Sequence, residues 1–506
     1  MKTGLIILFI LPLYLSAQNQ YPVAVQAVLA KAGANKIELT KALDFFYQKG
    51  DSLKIKAIEF LVANMDIHYS ASYYWQDSSG RKVPYNELAY PTYADAIDAL
   101  QSLKQQNSQL TPVAFTYRDI DSIKADFLID NVERAFEVRL RSWAEKITFD
   151  QFCEYILPYR ASIEPLQNWR GTYQQKFGWI NDSANGKTME ATLQYFANDQ
   201  KKWFINTYDI ENRKEPLPRL GSLQLLQRKK GPCEDIADLM VFALRSQGIL
   251  VTNDMVSYWA TSTGSHFFNS TLNDSLQPIR FDVSSSTVRF TTFAREPAKV
   301  IRTTFSKQPN TPAFFDIEKN IPNCFLRAKN IIDVTKEYWP VRDLTVPVFS
   351  NTTQPKLAYA AVFNGLAWRP TWWAKVLDGQ ALFTNMCQGA VFLPMYCING
   401  IMVAAGYPMA SGYNNTLILK PDTINHRSIH IKQQDKYLIF RPGKNYKLYY
   451  WNKSWVLLGA QKAQEKAVEL VFDKAPRNAL YLLLPEYSQG KERPFMITDT
   501  GERIWW

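Results

Sequence analysis

Apolar residues recur at helical spacing through the first part of the chain. Three such stripes stand out: Ile55-Ile58-Val62-Met65, Ala94-Ile97-Leu100-Leu103, and a longer one from Ile120 to about Trp143. Spacings of three and four residues place these side chains on one face of a helix. Thr92 followed by Asp95 gives the second stripe the start of a capping box. The pattern predicts a helical N-terminal region over residues 18–200.

After about residue 325 the pattern changes to short apolar runs between Gly, Pro and Asn. Examples are Leu357–Phe363, Ala390–Tyr396, Thr416–Leu419, Tyr446–Trp451 and Ala479–Leu484. Short strands separated by regular turn signals are typical of β-sandwiches. We therefore expect a β-sandwich over 326–435 and a small β domain over 436–506.

Between these regions lies a strongly amphipathic segment that begins at Cys233. Its apolar positions follow the helical repeat: Ile236, Leu239, Met240, Ala243 and Leu244. Pro232 suits the start of a helix, and Gly248 suits the left-handed position just past its end. A helix from Cys233 to just before Gly248 is predicted.

The residues after this helix indicate strands. Segments 249–252 and 255–259 are rich in β-branched and aromatic residues, and another run begins at His266. Asn273-Asp274-Ser275 is a turn signal, and Pro278 precedes a further strand that carries Asp282. Two strands joined by a short turn predict an antiparallel pair, with His266 and Asp282 as cross-strand neighbours.

The central region thus contains Cys233, His266 and Asp282 in that order. These are the side chains of a thiol acyl-transfer site: a thiolate attacks a carbonyl, an imidazole moves the proton, and a carboxylate orients the imidazole. The start of a helix also predicts a lowered thiol pKa, because unpaired N–H groups face the sulfur. Asp254 and Asp274 compete for the carboxylate role. Asp282 is favoured, since Asp274 lies in the turn and Asp254 precedes the histidine.

The order and local context of these residues resemble a known family. The matching segments are Gly231-Pro232-Cys233-Glu234-Asp235-Ile236-Ala237, Leu244-Arg245 with Gly248-Ile249, the His266 strand and Phe281-Asp282. Over about residues 200–290 they are similar to the transglutaminase-like superfamily of papain-type thiol enzymes. The resemblance implies Cys233 as nucleophile, His266 as general acid and base, and Asp282 as the orienting carboxylate. The expected fold is α+β: a helical N-terminal region, a papain/transglutaminase-like core over 201–325 and C-terminal β-sandwich modules.

The resemblance also limits the classes of reaction to be expected. It implies a cysteine peptidase, amidase or transglutaminase-like acyltransferase that acts on peptide, isopeptide or side-chain amide bonds of a protein, peptide or glycopeptide, without a cofactor. The superfamily contains inactive versions too. The alternative is therefore a non-catalytic cell-surface protein that holds a glycan or a protein on the same scaffold.

Three groups are candidates to stabilise an oxyanion. The backbone N–H of Cys233 is one, because it lies at a helix start. Gln227 resembles the glutamine of papain-like enzymes in its placement, and Trp203 resembles the indole donor of transglutaminases. A packing or surface role is the alternative for both side chains.

The N-terminal segment resembles a signal peptide. Met1-Lys2-Thr3 is a short basic stretch, Leu5–Leu15 is apolar, and Ser16-Ala17 supplies small residues for cleavage. The run is too short to span a membrane, and no cysteine follows it as in a lipoprotein. Residues 1–17 are expected to be removed, and the protein is expected to be periplasmic or secreted.

Composition indicates which classes of binding partner the protein has. The formal net charge of +11 is spread along the chain without a nucleic-acid motif, which favours anionic cell-surface polymers or acidic proteins over DNA as partners. No metal-binding motif is present, and His426 and His430 lack a nearby acidic residue to complete a ligand set. Five cysteines leave one thiol unpaired in an oxidising compartment, and Cys387–Cys397 is the most local possible disulfide. Clustered C-terminal aromatic residues favour core packing over sugar stacking.

Overall fold

The computed structural model describes residues 21–506 apart from 108, 208–214, 285–289, 291–292, 351–354 and 436. The predicted signal peptide, residues 1–17, lies outside the described residues. Within the described part of the chain, no helix has the length and apolar character needed to cross a membrane. The fold is α+β, with most helices on the N-terminal side and sheets on the C-terminal side.

The helices carry the apolar stripes that the sequence shows. The Thr92–Asp95 capping box starts helix α4, as predicted. The structure also shows Asp51 as the cap of helix α3. Ile58, Val62 and Met65 of the first stripe are buried in the N-terminal core. The helices are α1 (Val23–Leu29), α2 (Lys36–Lys49), α3 (Ser52–Asn64), α4 (Tyr93–Gln106), α5 (Asp119–Ser122), α6 (Ala125–Arg139), α7 (Ser142–Glu145), α8 (Phe149–Tyr155), α9 (Arg170–Phe177), α10 (Ile180–Ser183), α11 (Met189–Trp203), α12 (Ser222–Arg228) and α13 (Cys233–Ser246).

The long helix expected from Ile120 to about Trp143 is wrong. The chain instead forms α5, α6 and α7, with Ile123 and Lys124 in extended conformation between the first two. The buried side chain of Asn35 donates to the carbonyl oxygens of Ile120 and Ile123, at 3.1 and 2.9 Å. These bonds satisfy carbonyls at the break, which periodicity along the sequence could not reveal.

The helical N-terminal region also contains a sheet that the sequence did not predict. Strand β1 (Tyr69–Gln76) pairs antiparallel with β2 (Lys82–Val83) and β3 (Thr111–Arg118). His68, which precedes β1, is buried and its Nε2 lies 2.8 Å from the carbonyl oxygen of Phe305. Burial lowers the pKa of His68 to about 3, so this histidine is a neutral structural residue.

The central core consists of α13 packed on a five-stranded antiparallel sheet. The order of its strands is β10 (Ile331–Asp333), β9 (Val300–Thr303), β6 (Asn253–Val256), β7 (His266–Leu272) and β8 (Pro278–Phe281). The β7–β8 pair confirms the predicted antiparallel hairpin. The predicted strand at 249–252 is wrong, because the first strand after α13 is β6, which begins at Asn253. A two-stranded parallel ladder, β4 (Ile205–Asn206) with β5 (Lys230–Gly231), leads directly into α13.

The C-terminal region is built of sheets. The largest follows the order β11 (Val341–Pro347), β14 (Gln380–Cys387), β13 (Ala367–Leu377), β12 (Leu357–Asn364), β15 (Ala390–Ile398), β17 (Met409–Ser411) and β18 (Thr416–Ile418), with β16 (Ile401–Ala404) also paired to β15. The last unit contains two sheets. One is a two-stranded ladder of β19 (Asp422–Lys432) and β22 (Glu469–Arg477). The other has five strands in the order β21 (Trp455–Lys462), β20 (Asn445–Trp451), β23 (Tyr481–Pro485), β24 (Phe495–Ile497) and β25 (Arg503–Trp505). Ile429, Phe472 and Tyr481 belong to one core between the two.

The largest sheet is a middle layer. One face packs in a common core with Ile301 and Ile331 of the central sheet, and the other packs against Trp451 and Trp506 of the last unit. Hydrogen-bonded pairs cross the proposed boundaries at 325 and 435, because β10 pairs with β9 and β19 pairs with β22. The layers are joined through buried apolar surface rather than by flexible linkers.

A chain ending at Asn330 is expected to aggregate or to lose cooperative unfolding. It would lack β10, and the Lys299 ammonium, whose side chain is 0% exposed, would lose Asp333 at 2.6 Å and the carbonyls of Thr384 and Asn385. An unpaired buried charge costs about 3–5 kcal/mol, a large part of a typical stability. Thermal unfolding of the truncated chain checks this. A soluble fragment with a cooperative transition would show that the central core is independent.

Candidate active site

The nucleophile candidate, Cys233, is the first residue of α13. Pro232 precedes it in extended conformation, and the peptide chain enters from β5. Gly231 is required here, since a Cβ atom at this position would lie 2.6 Å from the Cβ of Asp235. The tight approach of Gly231 to the first turn holds the thiol where backbone N–H groups of the helix start have no intrahelical acceptor.

His266 and Asp282 form a hydrogen-bonded pair. Nε2 of His266 lies 2.7 Å from Oδ2 of Asp282, and the carboxylate is 5% exposed. Oδ1 of Asp282 accepts from both the backbone N–H and the hydroxyl of Ser284, at 3.0 and 2.6 Å. Burial raises the pKa of Asp282, but the bond to His266, with Ser284 and Arg280, lowers it to about 2 overall. Asp282 is therefore ionised throughout the neutral range and orients the imidazole through Nε2.

Arg280 is a member of this site that sequence reasoning missed. Its Nη2 donates to Oδ2 of Asp282 at 3.1 Å, and its guanidinium lies 4.3 Å from the centre of the Phe293 ring. Arg280 and Asp282 are two positions apart, so they lie on the same face of an extended segment. This spacing of two residues could have indicated Arg280 as a neighbour of Asp282. Arg280 and His266 therefore share Oδ2 of Asp282, while Ser284 donates to Oδ1.

Two aromatic rings flank the imidazole. The planes of Trp259 and Phe268 lie within 23° and 17° of the His266 ring, and both ring centres are 6.3 Å away. Phe268 lies two positions after His266 and shares its face of β7, whereas Trp259 lies in the segment after β6. The three rings therefore lie nearly parallel to one another.

The surroundings of the thiol contradict the predicted lowering of its pKa. Sγ of Cys233 lies 3.3 Å from Oε2 of Glu234. Burial, followed by this carboxylate, raises the pKa of the thiol to about 12, although the backbone N–H of Phe267 and the charge of Arg219 act in the opposite direction. Desolvation of the sulfur outweighs the helix start, so the thiol is neutral in this conformation. The Phe267 contact also places the sulfur next to the backbone of the His266 strand.

Buried polar residues beneath the site join the helix to the sheet. Arg219 donates to the carbonyl oxygen of Glu234 at 2.8 Å and lies over the Phe267 ring. Asp238, one turn along α13, accepts from Arg219 and from Asn253 of β6. These bonds set the position of the cysteine relative to the histidine strand.

The Leu244-Arg245 motif joins α13 to the helical N-terminal region. Arg245 donates to the carbonyl oxygens of Tyr155 and Arg160, at 2.8 and 2.6 Å. Asn269 of β7 donates to the carbonyl of Ala237 in α13 and so ties the helix to the histidine strand. Both contacts fix α13, which is buried along nearly its whole length.

Part of the chain is similar to a known family. Residues 178–269 match the family model described as the transglutaminase-like superfamily. The chain contains a transglutaminase-like domain. The match includes Cys233 and His266 and ends before Asp282. The solved structure of red sea bream transglutaminase has 9% sequence identity to this chain and a TM-score of 0.19, and the comparison covers 74% of this chain and 73% of that chain. No curated protein matches the chain.

The two side-chain oxyanion candidates, Gln227 and Trp203, have hydrogen-bond partners within the protein. Nε2 of Gln227 donates to the carbonyls of Glu87 and Tyr90, at 2.9 and 3.0 Å, so both of its N–H groups are in use. The indole N–H of Trp203 donates to Asp199 one turn earlier on the same helix. Neither group is free to donate to a substrate. The backbone N–H of Cys233 stays the candidate.

The competing carboxylates have partners elsewhere. Asp254 accepts two hydrogen bonds from Arg302, at 2.9 and 2.8 Å, and one from Tyr338. Asp274 accepts from the backbone N–H of Met189. Of the three candidate carboxylates, Asp282 is therefore the one that the structure pairs with His266.

The cysteines and the C-terminal histidines bear on disulfides and metal binding. All five cysteines lie in the described part of the chain as free thiols, so Cys387 and Cys397 are not paired. His430 lies 3.4 Å from Glu469 in the last β unit, an acidic neighbour that the sequence did not reveal. No group of three His, Cys, Asp or Glu with metal-binding geometry occurs among residues 21–506, outside the gaps stated above.

Replacing Glu234 by Gln is expected to accelerate alkylation of Cys233 by iodoacetamide about three- to tenfold at pH 8. Removing the adjacent negative charge lowers the thiol pKa and increases the thiolate fraction, while the lower basicity offsets part of the gain. Mass spectrometry of the Cys233 peptide over time gives the rate. Glu145→Gln, on an exposed helix, is the matched control. An unchanged or slower rate in Glu234→Gln would show that the carboxylate does not control the thiol.

Proposed function

We propose that the chain is an exported cysteine hydrolase or acyltransferase that acts on peptide, isopeptide or side-chain amide bonds. The observation that carries the proposal is the His266–Asp282 pair beside a cysteine at a helix start. The match to the transglutaminase-like superfamily supports the same reading. Export is supported by the basic and apolar pattern of residues 1–17. The substrate class is a protein, a peptide or a glycopeptide, and no cofactor is needed.

The geometry assigns the two nitrogens of the histidine. Because Nε2 of His266 is bonded to Asp282 at 2.7 Å, its proton lies on that side, and Nδ1 is the nitrogen that can accept the thiol proton. Asp282, with its lowered pKa, keeps the imidazole in this tautomer and stabilises the imidazolium when it forms. This tautomer leaves Nδ1 of His266 as the proposed general base for Cys233.

The proposed reaction follows from these positions. Nδ1 of His266 takes the proton from Cys233 as Sγ attacks the amide carbonyl, and the backbone N–H of Cys233 stabilises the oxyanion. The imidazolium then donates the proton to the leaving amine, which leaves an acyl group on Sγ. Water or a second amine attacks the thioester, gives its proton to Nδ1, and releases the acid or the new amide with the free thiol.

The raised pKa of the Cys233 thiol bears on when this nucleophile loses its proton. With the pKa of Cys233 at about 12, a resting thiolate–imidazolium pair is disfavoured. Proton transfer to His266 must therefore accompany attack, as it does for a serine nucleophile. This mode requires the substrate carbonyl to be in place before the thiol loses its proton.

The same observation favours a second candidate function. A thiol that is neutral and partly shielded suits a non-catalytic protein that retains the scaffold and binds a protein or a glycan. Here the His266–Asp282 pair would be structural only.

A peptide-derived chloroacetamide separates the two functions. The enzyme is expected to be labelled stoichiometrically at Cys233, and His266→Ala should reduce the labelling rate at least about 100-fold, the scale of general base catalysis. His430→Ala, an exposed histidine, is the control. Equal labelling of the His266 variant and the wild type would favour the binding protein. A screen of peptides, isopeptides and glycopeptides, with and without an added amine, then identifies the bond and the acceptor.

A further inference from the structure

The loop between β6 and β7, residues 257–265, carries Trp259 and leads into His266. The Trp259 ring lies within 23° of parallel to the imidazole. The backbone N–H of Trp259 donates to the carbonyl oxygen of Gly264 at 3.1 Å, and Gly264 has a φ of 80°, which favours glycine. The conformation of this loop therefore determines both the ring beside the imidazole and the backbone that positions it.

One side chain from the largest sheet closes this loop. Asn364, the last residue of β12, is 7% exposed. Its Nδ2 donates to the carbonyl oxygens of Trp259, Ser262 and Gly264, at 3.0, 2.8 and 3.1 Å. Its Oδ1 accepts from the backbone N–H of Gly264 at 3.1 Å. Asn364 thus binds both polar backbone groups of Gly264, two residues before the histidine.

The segment that carries Asn364 is itself fixed. Gly365 and Leu366 connect β12 to β13 with positive φ values of 61° and 58°, as in a tight two-residue hairpin turn. In β13, the hydroxyl of Thr371 is hydrogen-bonded to the hydroxyl of Ser257, the first residue of the loop. The largest sheet therefore holds the loop at its start and near its end.

We propose that Asn364 is a positioning residue for the general base. Acting through residues 257–265, it holds the His266 imidazole in the orientation in which Nε2 donates to Asp282 and Nδ1 is left for the thiol proton. This inference rests on the proposed function, since only a reacting imidazole needs that orientation. Displacement of a reacting group by about 1 Å can lower a rate about 100-fold. The largest sheet is then part of the catalytic unit and not an accessory module.

A purely structural role for Asn364 has different consequences. Donors to buried carbonyl oxygens stabilise any loop, whether or not it carries a reacting group. Loss of that role would lower the free energy of unfolding without changing the imidazole in the folded protein. The experiments therefore measure His266 itself.

Labelling of Cys233 by the peptide-derived chloroacetamide tests whether Asn364 acts through His266. In the full chain, Asn364→Ala is expected to slow labelling at least about tenfold. In a His266→Ala background, the same change should have no further effect, because the effects of two coupled residues are not additive. An unchanged rate in the single variant, or equal slowing in both backgrounds, would overturn the proposal.

NMR of the imidazole nitrogens reports the orientation without any reaction. His266 is one of four histidines, so isotope-labelled imidazole groups in the full chain give few signals. The wild type is expected to show His266 protonated on Nε2, and Asn364→Ala to shift both nitrogens towards the average of the two tautomers. Unchanged His266 signals in this variant would overturn the proposal. Wild-type labelling that does not depend on His266 would contradict the proposed function, while these signals still decide the role of Asn364.

Asn478→Ala is the matched control. In the last β unit, Nδ2 of Asn478 donates to the carbonyl oxygens of Ile418 and Lys420, both at 3.0 Å. Its labelling rate and imidazole signals should equal those of the wild type, and changes as large as those in Asn364→Ala would overturn the proposal. Circular dichroism verifies the folding of each variant. Where Asn364→Ala does not fold, Asn364→Asp keeps the acceptor for the Gly264 N–H, removes the donor to the three carbonyls, and is expected to give the same two results.

Discussion

Cys233→Ala is expected to lower turnover of any cleaved or transferred amide by about 10⁶-fold, the scale seen when a covalent nucleophile is removed. The alanine cannot form the acyl intermediate, while the rest of the site is unchanged. The change removes one sulfur atom from a half-buried position, so the free energy of unfolding should change by no more than about 1 kcal/mol. Steady-state kinetics and thermal unfolding of the same preparation give both values.

The matched control is Cys324→Ala. Cys324 is also half-buried and its thiol is also free, but it lies in the segment before β10 and not at α13. This variant should keep full activity. Retained turnover in Cys233→Ala would eliminate the thiol mechanism, whichever bond the protein acts on.

Asp282→Asn is expected to reduce kcat by about 10⁴-fold, as happens when a triad carboxylate is neutralised. An amide at this position can donate to Nε2 of His266 and so favours the tautomer with its proton on Nδ1, where it cannot accept the thiol proton. It also removes the negative charge to which the buried Arg280 donates at 3.1 Å. Measurement of kcat and KM, with circular dichroism to verify folding, checks this result.

Asp274→Asn separates the orienting role from a general effect of charge. Asp274 accepts a hydrogen bond from the backbone N–H of Met189 at 3.3 Å, and an asparagine oxygen can accept the same bond. Activity should be close to that of the wild type. A strong loss in Asp274→Asn together with normal activity in Asp282→Asn would assign the carboxylate role to Asp274.

Local features of the site were predictable from neighbouring residues in the chain. The helix starts at Cys233 because Pro232 suits a helix start, and it ends before Gly248, which has the predicted positive φ of 79°. The β7–β8 hairpin follows from a turn signal between two strand-forming runs. Periodicity, capping and turn chemistry act over a few residues, so the sequence contains the needed information.

Features that depend on distant segments were mispredicted or missed. The break after Ile120 arises from Asn35, and Gln227 is held by the carbonyls of Glu87 and Tyr90. The clustered tryptophans illustrate the same point. Trp372, Trp373 and Trp451 are buried in the cores between layers, as expected, but the sequence did not show which layers would cover them. Which ring is exposed depends on which layer covers it.

The sequence by itself determined the order of Cys233, His266 and Asp282, the helix and hairpin that carry them, and the similarity to the transglutaminase-like superfamily. Only the tertiary structure decided the protonation of the thiol, since its pKa depends on burial and on the side-chain position of Glu234. It also decided that Arg280 supports Asp282 and that the C-terminal sheets cover the core. The physical reason is that desolvation and long-range hydrogen bonds are properties of packed surfaces, and residues far apart in the chain build those surfaces together.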